Sequence, residues 1–179
     1  MYRALVAAAV VLTTVAGCSD GAKDTTPSSL STTTVPAATD AALPRVDLIH
    51  PAVRAFEGQL GGPQRFFEIN ATTKLVNLFL SLNNGTMSQA WVFFDGELSS
   101  QEAKPASGHT FASSALTFDG ATVLDRVREE LPTTRLQLFE ILGGANDAVQ
   151  FTIGATSSEG GGLIITVNAD GRIATVAAA

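Results

Sequence analysis

The sequence predicts an α+β fold in which one helix is followed by three strands, and this order occurs twice. Two segments have the apolar spacing of an amphipathic helix, and each is followed by runs in which apolar and polar residues alternate. Each half then reaches an Asp-Gly pair, Asp95-Gly96 or Asp170-Gly171, which is typical of a hairpin turn. We therefore predict two αβββ repeats, residues 46–99 and 115–176, joined by a linker of residues 100–114.

Both predicted helices have recognisable ends. Their apolar positions recur at helical spacing, as Val53, Phe56 and Leu60 in the first half and as Val123, Val127 and Leu131 in the second. Pro51 is favoured in the first turn of the first helix, and Asp119 can cap the second by accepting backbone N–H bonds. We expect the first helix to stop at Gly61 and the second before Pro132, because glycine and proline end helices.

Matching tetrads after the two helices indicate an internal repeat. Phe-Phe-Glu-Ile at 66–69 and Leu-Phe-Glu-Ile at 138–141 make Glu68 and Glu140 equivalent positions. A polar break is expected after each tetrad, at residues 70–74 and 143–147. The next strands have one apolar face, formed by Val76, Leu78, Leu80 and Leu82 in the first half and by Val149, Phe151 and Ile153 in the second. Asn84-Gly85 predicts a hairpin turn, and residues 89–94 and 163–167 complete the three strands of each half.

The order of a helix, strands, an Asp-Gly turn and a returning β segment resembles the PepSY-like and cystatin-like extracytoplasmic modules, here as a tandem pair. Residues 123–132 and 164–173 of the second half carry the resemblance best. The first half departs from it, because Asp95 directly follows the apolar strand. The resemblance, which extends to the duplicated β-lactamase inhibitor proteins, implies antiparallel sheets with helices packed on one face and the other face free to bind. It implies binding rather than catalysis.

The N-terminus is similar to the signal of a bacterial lipoprotein. Arg3 gives a basic start, residues 4–11 are apolar, and small residues directly precede Cys18, the only cysteine. The similarity implies cleavage after residue 17, diacylation of Cys18, and a mature protein held by lipid at the outer face of the bacterial cell membrane. The alternatives are an ordinary secretory signal with a chance cysteine and a transmembrane helix, although the apolar run is short of the roughly 20 residues that a bilayer span needs.

The domain organisation follows from this signal and from composition. Residues 1–17 are the predicted signal peptide. Residues 18–43 are rich in Ser, Thr, Pro and Ala and predict a flexible stalk, because they have too little apolar surface to offset the entropy of ordering. Residues 44–179 form one α+β domain of ordinary size. With Cys18 committed to lipid, no thiol remains for a disulfide, a metal site or a nucleophile.

The net charge of the mature chain limits its partners. Removal of Arg3 from the 11 basic residues leaves 10 against 17 acidic residues, a net charge of −7. Such a charge disfavours a nucleic-acid partner and a polybasic patch that would reinforce membrane binding. We therefore expect membrane contact through acylated Cys18 alone.

Few residues have the types and spacing of a reactive centre. His50 and His109 lack the spacing of metal ligands, and the sequence has no Gly-x-Ser-x-Gly elbow. Glu68 and Glu140 would share acid–base work only if the two halves brought them together; otherwise each is a solvated carboxylate on its own strand. We therefore predict a chain that is not an enzyme, with no catalytic residue, no metal and no cofactor.

Aromatic residues form a candidate binding face. By alternation, Phe79, Trp91 and Phe93 are expected to share a sheet face that the helices leave open, and an exposed apolar patch of this kind usually marks an interaction surface. The alternative is that both faces are buried, the second by the partner repeat, by the linker or by a homodimer. The oligomeric state stays open.

Together these features favour a lipid-anchored, extracytoplasmic module that binds a protein or peptide of the cell envelope. The contact would be a strand edge or the predicted aromatic face. The alternative is a carrier of a lipid or another apolar ligand, which needs an internal cavity between sheet and helices. An envelope enzyme is the third and least favoured class.

Overall fold

The computed structural model describes residues 42–179. The predicted signal peptide, Cys18 and nearly all of the predicted stalk therefore lie outside the described residues. Within residues 42–179 the chain has two α-helices and ten strands. Neither of these helices combines the length and the hydropathy that a membrane crossing requires.

The elements alternate in the order that the sequence suggests. The helices are α1 (Ile49–Leu60) and α2 (Gly120–Glu130). The strands are β1 (Arg65–Thr72), β2 (Val76–Leu82), β3 (Met87–Phe94), β4 (Glu97–Ser100), β5 (Lys104–Pro105), β6 (Phe111–Ala112), β7 (Arg135–Gly143), β8 (Val149–Thr156), β9 (Gly162–Val167) and β10 (Ile173–Ala178).

All ten strands belong to a single sheet, in which every pairing is antiparallel. Its main path runs β10-β9-β8-β7-β1-β2-β3-β4, while β5 pairs with β3 and β6 with β1. The two halves of the chain meet at the centre, where β1 pairs with β7. The α+β class is therefore confirmed, and the two halves share one sheet.

The number of strands differs from the prediction. Four strands rather than three follow each helix on the main path of the sheet. The additional strands, β4 and β10, arise because the residues after each Asp-Gly turn pair back onto the preceding strand. The predicted linker of residues 100–114 also contains two short strands, β5 and β6.

The helix ends show which local signals were correct. Asp119 caps α2, because its Oδ1 accepts the backbone N–H groups of Ala121 at 3.1 Å and Thr122 at 3.3 Å. Gly61 ends α1 in the left-handed conformation, with φ 84°. Pro51 was predicted as the start of α1 and lies in its first turn, but the helix begins two residues earlier, at Ile49, which is fully buried and extends the apolar stripe.

The core is built from aliphatic and aromatic side chains of both helices and of the strands. Each helix buries one stripe, which is Ile49, Ala52, Val53 and Phe56 in α1 and Val123, Leu124 and Val127 in α2. Ring contacts join helix-side residues to strands: Phe56 lies 5.6 Å from Phe66 and 5.1 Å from Trp91, and Phe118, just before α2, lies 5.5 Å from Phe139 and 5.0 Å from Phe151. Full burial of one such side chain stabilises the fold by about 1.5–3 kcal/mol.

Bulges near the start of β1 and of β7 correct the predicted repeat register. Across the central junction Glu140 pairs with Asn70, whereas Glu68 pairs with Leu142. When the bulges are taken as matching points, Glu140 corresponds to Asn70 and not to Glu68. The two tetrads therefore align in sequence but lie two residues out of step in the sheet. The predicted polar break of residues 70–74 begins too early, because β1 continues to Thr72, whereas the predicted break of residues 143–147 agrees with the end of β7 at Gly143.

Candidate binding surface

The predicted aromatic face is wrong, because its three members do not share a surface. Trp91 and Phe93 are 8% and 6% exposed and belong to the core, where Trp91 packs against Phe56 of α1. Phe79 pairs with Ala90, so its side chain lies on the opposite face of the sheet from that of Trp91.

The error lies in the relation between β2 and β3 and not within either strand. The two strands are joined by a short 3-10 turn in which Asn83 and Asn84 both have positive φ, and this turn sets Leu78 opposite Trp91. Alternation along one strand cannot reveal that register. A usable signal was present, because Trp91 and Phe93 alternate with the smaller Ala90 and Val92, and large aromatic side chains are highly buried on average.

The two outer edges of the sheet differ in protection. The β4 edge carries Glu97, and β5 beside it consists of Lys104 and Pro105. Charged residues and proline on an edge discourage pairing with another chain. The strand at the other edge, β10, contains no charged residue and no proline, and all of its residues from Ala174 onwards are exposed.

Hydrogen bonding shows which backbone groups of β10 point outward. The N–H of Ala179 donates to the carbonyl of Gly162 in β9 at 3.0 Å, so the backbone of Ala179 faces inward. Successive residues of an antiparallel strand direct their N–H and C=O groups to alternate sides. Val176 and Ala178 therefore direct theirs away from β9, where no other strand of residues 42–179 pairs. We call these outward groups, with the 47% exposed side chain of Val176, the free edge.

A second feature lies in the middle of the sheet, on the face opposite the core side chains. Asn77, Asn70, Glu140 and Thr152 are direct neighbours across β2, β1, β7 and β8. Glu68 is two residues from Asn70 and therefore shares this face. We call these five residues the polar cluster.

Hydrogen bonds orient one side of the polar cluster. The Nδ2 group of Asn77 donates to Oδ1 of Asn70 at 2.7 Å, and Nδ2 of Asn70 donates to Oε1 of Glu68 at 2.6 Å. The Glu140 carboxylate accepts no hydrogen bond from any group of residues 42–179. The donors of the cluster thus converge on Glu68 and leave Glu140 unpartnered within the described chain.

Glu140 is also electrostatically unfavourable as a carboxylate. Partial burial, and secondly the nearby charge of Glu68, raise the pKa of Glu140 above its ordinary value. The sequence analysis expected Glu68 and Glu140 to approach only if the two halves met. The halves do meet at the β1–β7 pair, and both glutamates lie beside it. Their closeness does not by itself supply a reaction.

Thr152 is the most enclosed side chain that faces Glu140. It is 6% exposed, pairs directly with Glu140, and its Oγ1 has no hydrogen-bond partner in the described chain. A buried polar group without a partner costs about 1–3 kcal/mol. Neither Thr152 nor the two asparagines were singled out from sequence, because isolated polar residues in alternating strands are the ordinary pattern of a solvated face.

The two histidines do not form a site. His50 lies in α1, where its ring is 5.7 Å from Phe118, and His109 is an exposed residue between β5 and β6. Within residues 42–179 no group of three or more His, Cys, Asp or Glu side chains is arranged to hold a metal ion. Cys18, the predicted lipidation site, lies outside the described residues.

Comparison of the chain with protein-family models, curated proteins and solved structures finds no match in any of the three. The resemblance to PepSY-like and cystatin-like modules therefore stays a prediction, as does the similarity of residues 1–18 to a lipoprotein signal. The two local features described above, the free edge and the polar cluster, are the basis for functional inference.

Proposed function

We propose that this chain is a non-catalytic binding module at the outer face of the bacterial cell membrane, anchored by lipid on Cys18. Its partner is an extended segment of an envelope protein or peptide, which adds to the sheet along the free edge of β10. One observation carries this proposal: the β10 edge lacks charge and proline, whereas Glu97, Lys104 and Pro105 protect the opposite side.

The chemistry of the free edge suits strand addition. The outward N–H and C=O groups of Val176 and Ala178 offer backbone hydrogen bonds to a partner strand, which supply affinity without requiring a particular sequence. The side chain of Val176 lies beside these groups and is 47% exposed. A side chain of an added strand would cover it, so Val176 supplies a preference for partners with apolar residues.

We further infer that the domain is a duplicated unit with both helices on one face of the sheet. Support comes from the order of one helix and four strands in each half, and from a bulge near the start of both β1 and β7. Buried residues of the two halves also lie side by side across the central junction, because Ile69 pairs with Ile141 and Ala71 with Phe139. In this arrangement the second face and the outer edges are left for partners.

The carrier of an apolar ligand has no comparable support. It needs a cavity between sheet and helices, and that space is filled by side chains with no exposed surface, among them Phe56, Phe66 and Phe139. A cleft of about 410 Å³ does occur in the described chain, but it lies at the surface between residues 42–47 and α2.

Strand addition is tested by a matched pair of variants at the centre of the free edge. Val176→Pro removes an outward N–H while keeping the inward ladder, since proline is tolerated on an edge strand. Val176→Thr keeps that N–H and the branched shape. Peptides selected against the full chain from a displayed random library are expected to bind Val176→Thr within about threefold of wild type, because only some apolar contact is lost, and Val176→Pro about tenfold or more weaker.

Three results would contradict the proposal. One is that no peptide is retained, and another is that the selected peptides bind Val176→Pro as well as wild type. The third concerns self-association: if the full chain is a dimer by light scattering and Val176→Pro is a monomer, the free edge pairs with a second copy of this chain.

The anchor has its own test. Full-length chain expressed in a bacterium that processes lipoproteins is expected to partition into detergent and to carry acyl mass on an N-terminal Cys18. Cys18→Ala should stay uncleaved and unacylated, while Ser19→Ala is the matched control that leaves processing intact. An unmodified Cys18 in the wild-type chain would refute the lipid anchor without bearing on the free edge.

A further inference from the structure

We propose that the polar cluster is a binding site for an organic ammonium group, separate from the free edge and independent of what binds there. The ammonium would lie against Glu68, Glu140 and Thr152 on the sheet face opposite the core. The two sites are on different parts of the sheet, because the cluster lies on the four central strands and the free edge on the outermost one.

The first step is the position of the two carboxylates. Glu68 and Glu140 lie on adjacent strands, one on each side of the central junction, and occupy diagonal positions, since Glu68 pairs with Leu142 and Glu140 with Asn70. Diagonal neighbours on one face are within reach of long side chains. The remaining side chains of the cluster, those of Asn70, Asn77 and Thr152, are neutral. No positive side chain is therefore part of the cluster.

The second step is the balance of donors and acceptors. The hydrogen bonds from Asn77 to Asn70 and from Asn70 to Glu68 commit one amide donor of each asparagine to an acceptor inside the cluster. Acceptor capacity remains at the second oxygen of Glu68 and at both oxygens of Glu140, because a carboxylate only accepts. The free acceptor positions of the cluster thus outnumber its free donors, which are one amide N–H of each asparagine and the hydroxyl of Thr152. A primary ammonium has three N–H donors and no acceptor, which matches that need.

The third step is Thr152, which indicates a ligand independently of the carboxylates. Thr152 pairs with Glu140 across β7 and β8, its side chain is 6% exposed, and its hydroxyl is enclosed without a hydrogen-bond partner in the described chain. Buried hydroxyl groups are normally satisfied. A donor placed between Thr152 and Glu140 would satisfy the hydroxyl oxygen and the carboxylate together.

Charge favours the same class of ligand. Desolvation and the charge of Glu68 both make the ionised form of Glu140 unfavourable, and a bound cation would offset both effects. The residues do not suit a metal ion as well, because no group of three metal-binding side chains occurs in residues 42–179. An ammonium needs fewer ligands, because hydrogen bonds to two carboxylates and one hydroxyl use all three of its N–H donors.

The test uses the full chain in detergent and reads the side-chain NH₂ resonances of Asn70 and Asn77 by NMR during titration with butylammonium chloride. Both resonances are expected to shift with a saturating curve. Glu140→Gln is expected to weaken binding about tenfold or more, and Thr152→Val to weaken it severalfold. Glu159→Gln, at an exposed turn, is the matched control and should bind like wild type.

Further titrations identify the chemistry and its source. Tetramethylammonium chloride and sodium chloride at equal ionic strength should have no effect, because they offer charge without N–H donors. The methylamide of Nα-acetyl-lysine should bind like butylammonium; tighter binding would assign the site to a lysine side chain of a partner, and equal or weaker binding to a free amine.

The proposal is overturned if the asparagine resonances do not move, or if tetramethylammonium moves them equally. It is also overturned if Glu140→Gln binds butylammonium as well as wild type while its melting temperature shows a folded protein. Calcium chloride that saturates the same resonances and displaces butylammonium would assign the cluster to a divalent cation instead.

Discussion

Glu140 is a carboxylate at the centre of a sheet, and its surroundings make a prediction about pH. Its pKa is raised by burial and by Glu68, so the folded protein binds this proton more strongly than the unfolded chain does. The stability that protonation gives is present below about pH 4, the ordinary value for glutamate, and is lost as the pH rises through the raised value. Ionised Glu140 therefore destabilises the fold at pH 7.

Glu140→Gln is accordingly expected to raise the free energy of unfolding at pH 7, by less than about 1 kcal/mol because solvent screens a partly exposed charge. The gain should disappear near pH 3.5. Urea denaturation at both pH values measures it, with Glu159→Gln as the control for loss of one charge. A stability gain that is the same at both pH values would show that the ionised carboxylate is not the cause.

At the residue scale, the sequence predicted end signals well and spatial neighbours poorly. Asp119 and Gly61 were identified because a cap and a left-handed stop are local chemistry. Phe79 and Trp91 were placed on one face, although register puts them on opposite faces. Thr152 was not singled out because a polar residue in an alternating strand ordinarily lies on a solvated face, whereas here it is 6% exposed.

At the scale of elements, the turn between β9 and β10 is fixed against α2 by one glycine. Gly171 has φ 85°, and a Cβ there would lie 2.9 Å from Cα of Val123 and 3.2 Å from Cδ of Arg126. Gly96, in the corresponding turn of the first half, has φ 84° but open space around it. Alanine at either position has the same left-handed strain, and only Gly171→Ala adds a clash with a backbone atom.

We therefore expect Gly96→Ala to lower the free energy of unfolding by about 1 kcal/mol from strain alone. Gly171→Ala should cost about 1–3 kcal/mol more, because the helix must move. Chemical denaturation of both variants gives the difference. Equal losses would mean that α2 does not pack on this turn as described.

The cap of α2 gives a second prediction at this scale. Besides the two backbone groups, the Asp119 carboxylate accepts the hydroxyl of Thr122 at 2.9 Å. These hydrogen bonds hold the pKa of Asp119 below its usual range. Asp119→Ala is expected to lower the free energy of unfolding at pH 7, as the loss of an N-cap typically does. Because stability from a lowered carboxylate pKa is lost in acid, the cost should shrink as the pH falls through that value.

A matched control keeps this prediction specific. Glu129→Ala also removes an exposed acidic residue from the region of α2, but it lies near the C-terminal end, where it caps nothing. Thermal unfolding at pH 7 should separate the two variants. A loss for Glu129→Ala equal to that for Asp119→Ala would contradict the capping role.

Helices and strands were predicted correctly where the spacing of apolar residues within the element was sufficient. Both helices and the alternating strands after them follow from this spacing, because apolar residues recur about every 3.6 residues on the buried face of a helix and every second residue on that of a strand. The fourth strand of each half was expected only as a returning β segment after the Asp-Gly turn and was not counted in the repeat, because β4 and β10 are mostly exposed and have no alternation of buried and exposed residues. The bulges were also invisible, because an extra residue in a strand changes register without changing composition.

For the whole molecule, the β1–β7 junction predicts that the two halves unfold together. Five residue pairs join them at the centre of the sheet, and Arg65 of β1 adds an ion pair with Asp147 from the turn after β7. Trp91, the single tryptophan, is buried in the first half and reports on that half alone. Its fluorescence should therefore follow events in the second half only if the sheet is one cooperative unit.

Ile165 of β9 is fully buried in the second half. Ile165→Ala is therefore expected to lower the free energy of unfolding by about 2–5 kcal/mol. Urea curves followed by Trp91 fluorescence and by far-UV circular dichroism should coincide for wild type and shift together in this variant. A Trp91 transition that stays in place while the dichroism shifts would show two independently folding halves.

Amide hydrogen exchange along β10 tests the central claim, that the free edge receives a partner strand, most directly. In the unbound full chain we expect Thr175 and Ala177 to be protected, because their N–H groups face β9, and Val176 and Ala178 to exchange fast. Addition of a selected peptide should protect Val176 and Ala178 and leave the inward pair unchanged. Protection that appears elsewhere on the sheet, or Val176 and Ala178 that are already protected without peptide, would contradict strand addition at this edge.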